Sequence, residues 1–258
     1  MKAIRADLPA DLERIKILPL ADFHIGDLMS DWELIQKLLA QVKDDPETYC
    51  ILGGDLMDTA IASSIGDTYA ANVQPMEQLQ MCVKLFEPIK DKILAVLPGN
   101  HENRVYKSDG LDLTQIMCNQ LDIGARYSST TALLFLHVGS DAVHNRSKQW
   151  VYSIYVAHGT GGGRKEGGKV QRLVDLSEIA EADVYLCAHS HLPATLKTEF
   201  ARASLNSRSV QYVTHTFVNT ASALRYGGYG EVKGYRPASR EYPEIILDGK
   251  RKHVRVVL

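Results

Sequence analysis

The 258-residue chain has four cysteines, Cys50, Cys82, Cys118 and Cys187, all far apart and none in a CxxC pair. That spacing excludes a Cys-based structural zinc module and a dense disulfide framework. Three of them stand inside apolar runs, where a small buried thiol is expected. No apolar run approaches the ~20 residues of a membrane-crossing helix. Residues 1–16 alternate charged and apolar side chains and contain no signal-peptide core. The expectation is a soluble, cytoplasmic protein that does not engage the membrane. Nor does either charge prevail: 29 Lys and Arg oppose 31 Asp and Glu, a formal charge of -2. No global field draws the chain to nucleic acid, so any basic patch must be local. Repeats, low-complexity blocks and interdomain linkers are missing too. What remains, 45% hydrophobic and 23% charged residues, suits one large domain over 1–258.

What the chain does have is one arrangement repeated along its length. Short apolar runs at 15–20, 49–52, 93–97, 152–157 and 184–188 each stop at a turn that carries metal-type ligands. The first leads to Asp22 and His24, the second to Asp55 and Asp58, and the third to Asn100, His101 and Glu102. The fourth leads to His158 and the fifth to His189 and His191. Their length and content make these runs strands, and 14–20 is the first strand expected. Ser30 to Glu33 has the Ser-x-x-Glu form of a capping box, and Leu34, Ile35, Leu38, Leu39 and Val42 follow at helical spacing. Helices are also expected at 76–86 and 111–121, and strands at 131–138, 150–157, 210–219, 244–247 and 253–257. Residues 61–73 read as a loop or short helix and 139–147 as a polar turn. Strand and helix alternate, which points to an α/β sheet, where sites gather outside the carboxyl ends of the strands.

Seven of these residues, Asp22, His24, Asp55, Asn100, His158, His189 and His191, are ligand types without a thiolate among them. Carboxylate, imidazole and amide oxygen suit Mn(II), which is favoured, or Fe or Zn in an open site. Seven ligands exceed the needs of one catalytic ion and match two, ~3.5–4 Å apart and sharing a carboxylate. Such a pair generates hydroxide near neutral pH and clamps both oxygens of an in-line displacement at phosphorus. Phosphoester hydrolysis is the chemistry expected.

The series Asp22-x-His24, Gly54-Asp55-x-x-Asp58, Gly99-Asn100-His101-Glu102, His158 and His189-x-His191 resembles the calcineurin-like metallophosphoesterase superfamily in order and spacing. Ala188 stands where that pattern has glycine. The resemblance implies an α/β fold of two mixed β-sheets packed as a sandwich and flanked by helices. It implies one ion on Asp22, His24, Asp55 and His191, and another on Asp55, Asn100, His158 and His189. It gives His101 the catalytic role of protonating the leaving oxygen or steadying the phosphoryl group. Asp58 and Glu102 would orient the ligands from behind. Protein phosphatases of this group carry Arg before Gly-Asn-His-Glu, where this chain has Pro98. The first expectation is therefore a phosphodiesterase of the stand-alone bacterial or phage type, acting on DNA or a nucleotide. A phosphomonoesterase or nucleotide pyrophosphatase is the alternative within enzymes. A non-catalytic metal-binding scaffold for protein partners is the alternative outside them.

The other histidines, His137, His144, His215 and His253, read as ordinary core or surface residues. Arg104 fits equally a solvated helix start and a ligand for substrate phosphate. Residues 159–169 hold six glycines with Arg164, Lys165 and Lys169 directly after His158, which suits either a flexible surface loop or a mobile flap gripping substrate through Arg164 and Lys165. A further loop, 226–235, is rich in glycine and tyrosine.

Overall fold

The computed structural model describes residues 1–60, 73–139, 149–161 and 163–258. Two mixed sheets lie face to face between outer layers of helix. One sheet has five strands: β2 (Arg14–Leu20), β3 (Thr48–Leu52), β4 (Ile93–Val96), β10 (Glu244–Asp248) and β11 (Val254–Val257), in the order β11-β10-β2-β3-β4. The other has six: β1 (Lys2–Asp7), β5 (Ala132–Val138), β6 (Trp150–Ala157), β7 (Val184–Cys187), β8 (Ala194–Ser204) and β9 (Ser209–Asn219), in the order β1-β5-β6-β7-β9-β8.

The alternation of side chains along each strand divides the core into layers. Ile15 and Ile17 of β2 and Ile51 of β3 face the second sheet and meet Leu134, Tyr152, Ile154 and Leu186. Leu18, Leu20, Cys50 and Leu52 point the other way. They pack under α1 (Trp32–Asp44), α2 (Pro75–Phe86) and α4 (Leu113–Gln120) through Ile35, Leu39, Leu79, Phe86 and Met117. Strands covered on both faces read as continuous apolar runs, which is why these were legible in the sequence. On the outer face of the second sheet, Leu173 of α5 (Glu166–Asp175) packs with Tyr155, Tyr185 and Phe217. All four cysteines are buried and free.

Several sequence expectations need correction. Arg14–Leu20 is not the first strand: β1 precedes it and pairs in parallel with β5 at a sheet edge, burying only Ile4 well. The cap of α1 is Asp31, whose side chain accepts from Leu34 N at 3.3 Å. The Ser30 hydroxyl instead donates to Phe23 O at 2.8 Å, so the cap lies one residue later, and Leu34 has no side chain that could close a box with it. A helix, α3 (Glu102–Asp109), starts directly at the Gly-Asn-His-Glu turn, two residues before Arg104, the one residue read as a helix start. Strand β8 was also missed, and its hairpin with β9 projects past the sheet with Leu196, Phe200, Val210 and Tyr212 exposed. The glycine-rich stretch is half helical, because α5 already begins at Glu166 and takes in Gly167, Gly168 and Lys169. Residues 61–72 and 140–148, with His144 and most of the expected loop and turn, lie outside the described residues, as does Gly162. No helix among the described residues is long and apolar enough to cross a membrane.

Candidate metal centre

The five runs are strands β2, β3, β4, β6 and β7, and the turns at their carboxyl ends meet at the seam between the sheets. Five of the meeting residues hold backbone that non-glycine residues rarely adopt: Asp22 (φ 54°), His24 (49°), Asp55 (50°), His189 (64°) and His191 (52°). Each left-handed residue costs on the order of 1 kcal/mol or more, so the surrounding contacts must over-determine them. Two glycines make this close assembly possible. A Cβ on Gly99 would fall 2.0 Å from Asp55 Oδ1, and one on Gly54 (φ 92°) would fall 2.5 Å from Gly99 N.

Glu102, buried at the start of α3, ties the β3 and β4 turns together. Its carboxylate accepts from Gly99 N (2.8 Å), Met57 N (2.9 Å) and Asp55 N (3.1 Å). Asp55 Oδ1 accepts from His101 N at 2.8 Å, and Thr59 Oγ1 donates to His101 O at 2.5 Å. Across the seam, His189 N donates to Asp22 Oδ2 at 3.0 Å. Ser222 Oγ and Ala223 N both donate to Asp22 O, at 2.9 and 3.0 Å. Thr59 and Ala223 were missed in the sequence, although Thr59 stands directly after Asp58.

Two triads of ligand atoms result, Asp22 with His24 and His191, and Asp55 with His158 and His189. Asn100 joins the second, its Oδ1 3.1 Å from His158 Nε2. A third group, His24, Asp58 and His101, adjoins the first, with the His24 and His101 ring centroids 4.4 Å apart. All seven sequence-selected ligands therefore come together with His101, Asp58 and Glu102. Arg104 reaches them too, its Nη2 2.9 Å from His101 Nε2. Arg164 and Lys165 are exposed, outside this cluster. His137 pairs with Asp7, and His215 stacks on Tyr185 away from the centre. A cavity of about 830 Å³, lined by Ser153, Asp183, His215 and Lys252 among others, opens at the opposite ends of β6 and β7 and includes none of these ligands.

The protonation pattern shows what the cluster is short of. His158 Nδ1 lies 2.8 Å from Gly53 O, which can only accept, so Nδ1 carries the proton. The Nε2 lone pair then faces Asp55 Oδ2 at 3.2 Å as well as Asn100 Oδ1. With Nε2 unprotonated, three acceptors face one another there, and either a proton on Nε2 or a metal ion relieves them. Burial lowers the His158 imidazole, but the Asp55 charge and hydrogen bond outweigh it and raise it to about 10. A proton thus answers one acceptor where a divalent ion would answer all three. The first triad repeats the problem: His24 Nε2 and His191 Nε2 face each other at 3.3 Å. Asp22 Oδ1, fully buried, has no hydrogen-bond partner among the described residues, although His191 Nε2 is 3.3 Å away. Burial and neighbouring imidazoles lower His24 and His189, which keeps them in the neutral form that ligates metal. Burial works against ionised Asp22 and Asp55, yet the histidines beside them hold both carboxyls below the ordinary range. The donor set fits divalent ions.

A family model described as calcineurin-like phosphoesterase matches residues 17–193. Comparison with curated proteins finds no match. Among solved structures, a predicted phosphoesterase from Streptococcus pneumoniae shares 14% identity at a TM-score of 0.40, covering 95% of this chain and 90% of its own. Vps29 of Entamoeba histolytica, solved with Zn²⁺, shares 12% at 0.35, covering 94% and 97%. GAP50 of Plasmodium, titled the anchor in the inner membrane complex, shares 10% at 0.33, covering 94% and 83%.

Proposed function

From a chain that belongs to the calcineurin-like phosphoesterase family, we propose a binuclear-metal-dependent phosphodiesterase acting on DNA or a nucleotide. The observation that carries the metal assignment is the convergence of His158 Nε2, Asp55 Oδ2 and Asn100 Oδ1, with the orphaned Asp22 Oδ1 beside it. Asp22, His24 and His191 would hold one ion, and Asn100, His158 and His189 the other, with Asp55 shared. Bound there, two divalent ions supply Lewis acidity toward phosphoryl oxygens and a nucleophile at neutral pH.

The chain's own residues do the rest. Glu102 and the glycines fix the Asp55 turn before any ligand binds, so little reorganisation remains at the moment of reaction. Asp58 orients His101: Nδ1 lies 2.8 Å from Asp58 O and 3.0 Å from its Oδ1, so Nδ1 is the donor and Nε2 is turned toward the centre. Arg104 Nη2 donates to that same Nε2. A phosphoryl oxygen entering there would draw the guanidinium N–H away from Nε2, and a proton taken up on Nε2 would then give it a second donor, which suits an anion whose charge grows in the transition state.

The decisive experiment is Asp55→Asn with metal analysis. Both ions should be lost together, along with hydrolysis of bis-p-nitrophenyl phosphate. One ion bound normally in that variant would remove the shared role of Asp55. In the unaltered protein, hydrolysis of p-nitrophenyl phosphate in preference to the diester would move the reading to a phosphomonoesterase.

A further inference from the structure

Beside the centre, the chain forms an arch between residues 224 and 240. It departs where Ala223 N bonds Asp22 O and returns where Tyr242 OH donates to Ala21 O at 2.7 Å. Both feet stand on one carboxylate, as Arg225 Nη2 lies 3.1 Å from Asp31 Oδ1 and Arg240 Nη1 binds Asp31 Oδ2. The middle of the arch meets the segment that leaves His158: Arg164 lies over the Tyr235 ring at 6.0 Å, and Arg236 Nη1 is 3.6 Å from Glu166 Oε1. Lys169, on the same turn of α5, donates to Ser190 O between His189 and His191 at 2.8 Å. The arch and the segment therefore join above the histidine turns.

We propose that this rim is a clasp for single-stranded nucleic acid, an inference that rests on the phosphodiesterase reading of the centre. Charge is the first reason. The arch carries Arg225, Lys233, Arg236 and Arg240 and the segment Arg164, Lys165 and Lys169, and these seven cations face only Glu231, Glu166 and the Asp31 that Arg225 and Arg240 share, in a chain whose acids outnumber its bases. Cations spread along an arch follow an extended row of phosphates better than one small anion. The aromatic rings are the second reason. Tyr226 is 51% exposed, and Tyr235 is partly exposed with a guanidinium at the outer limit of cation–π distance. A base inserted between Arg164 and Tyr235 needs about 6.8 Å, twice the ~3.4 Å spacing of stacked bases, so roughly 1 Å of opening admits one. Only unpaired bases offer their faces in this way, which selects single strands over duplex.

The test is fluorescence anisotropy of labelled oligothymidylate with phosphorothioate linkages, which keep charge and base while slowing hydrolysis. Tyr235→Ala and Tyr226→Ala should each weaken binding by about 5- to 150-fold, the range of one lost stacking contact. Tyr235→Phe, which keeps the ring, should bind within a factor of two or so of the unaltered protein, because the stacking surface is retained. An abasic strand of equal length should bind weakly and be insensitive to Tyr235→Ala. Duplex bound as tightly as single strand, or tyrosine variants that bind normally, would overturn the clasp. Failure of the unaltered protein to hydrolyse bis-p-nitrophenyl phosphate, which has no base to stack, would instead count against the reading of the centre.

Discussion

His101 is the residue whose surroundings discriminate most sharply between holding metal and acting on substrate. Its Nδ1 is committed to Asp58 and its Nε2 to Arg104, while the two triads are complete without it. His101→Ala should accordingly retain the metal content and lose about 10²- to 10⁴-fold in turnover. Metal analysis paired with turnover on a diester with a poor leaving group makes the distinction, and near-normal turnover would remove the role. At this scale the sequence was most informative, because ligation and proton transfer demand particular side chains. What it did not show is the left-handed backbone at Asp22, His24, Asp55, His189 and His191. No local pattern reports strain that tertiary contacts impose.

Among the elements, α1 begins and ends on carboxylates with tasks beyond the helix. Asp31 caps it while receiving Arg225 and Arg240, and the first of these above all holds its carboxyl below the ordinary range. Asp31→Asn keeps a cap and loses the ion pairs, whereas Asp31→Ala loses both. Urea unfolding should put the alanine variant about 0.5–2 kcal/mol below the asparagine one. Equal stabilities would show that Asp31 does not cap. At the other end, Asp45 accepts from Lys16 Nζ (2.8 Å), Glu47 N (3.0 Å) and Thr48 Oγ1 (2.8 Å), joining α1 to β2 and β3. Burial opposes its ionisation, yet these donors bring it down to about 2. A lowered carboxyl stabilises the fold while ionised, so this contribution is complete above ~3.8 and fades as pH falls toward about 2. The stability gap between the protein and Asp45→Asn should narrow over that window; a gap independent of pH would show that the charge is irrelevant. The elements that went unread share one cause. β1 and β8 are edge strands, paired on one side only and mostly solvated, so neither acquires the continuous apolar run that marked β3, β4 and β7. α3 was faint because its eight residues offer only Glu102 and Val105 to the core.

For the whole molecule, the layered fold was legible because five buried strands carry their ligands at the same end. The pairing of the sheets was not, since nothing local says that β10 lies antiparallel to β2 across more than two hundred residues. That pairing has a mechanical meaning. Asp22, His24, Asp55 and Asn100 hang from one sheet and His158, His189 and His191 from the other, so ions held among them would act as rivets through two plates. Pulling the rivets should loosen both plates at once. Hydrogen exchange after chelation should quicken in the turns after β2 and β3 and, to a like extent, in those after β6 and β7. Faster exchange on one side alone would mean that the plates are held shut by Leu, Ile and Val between them, with the metal a passenger.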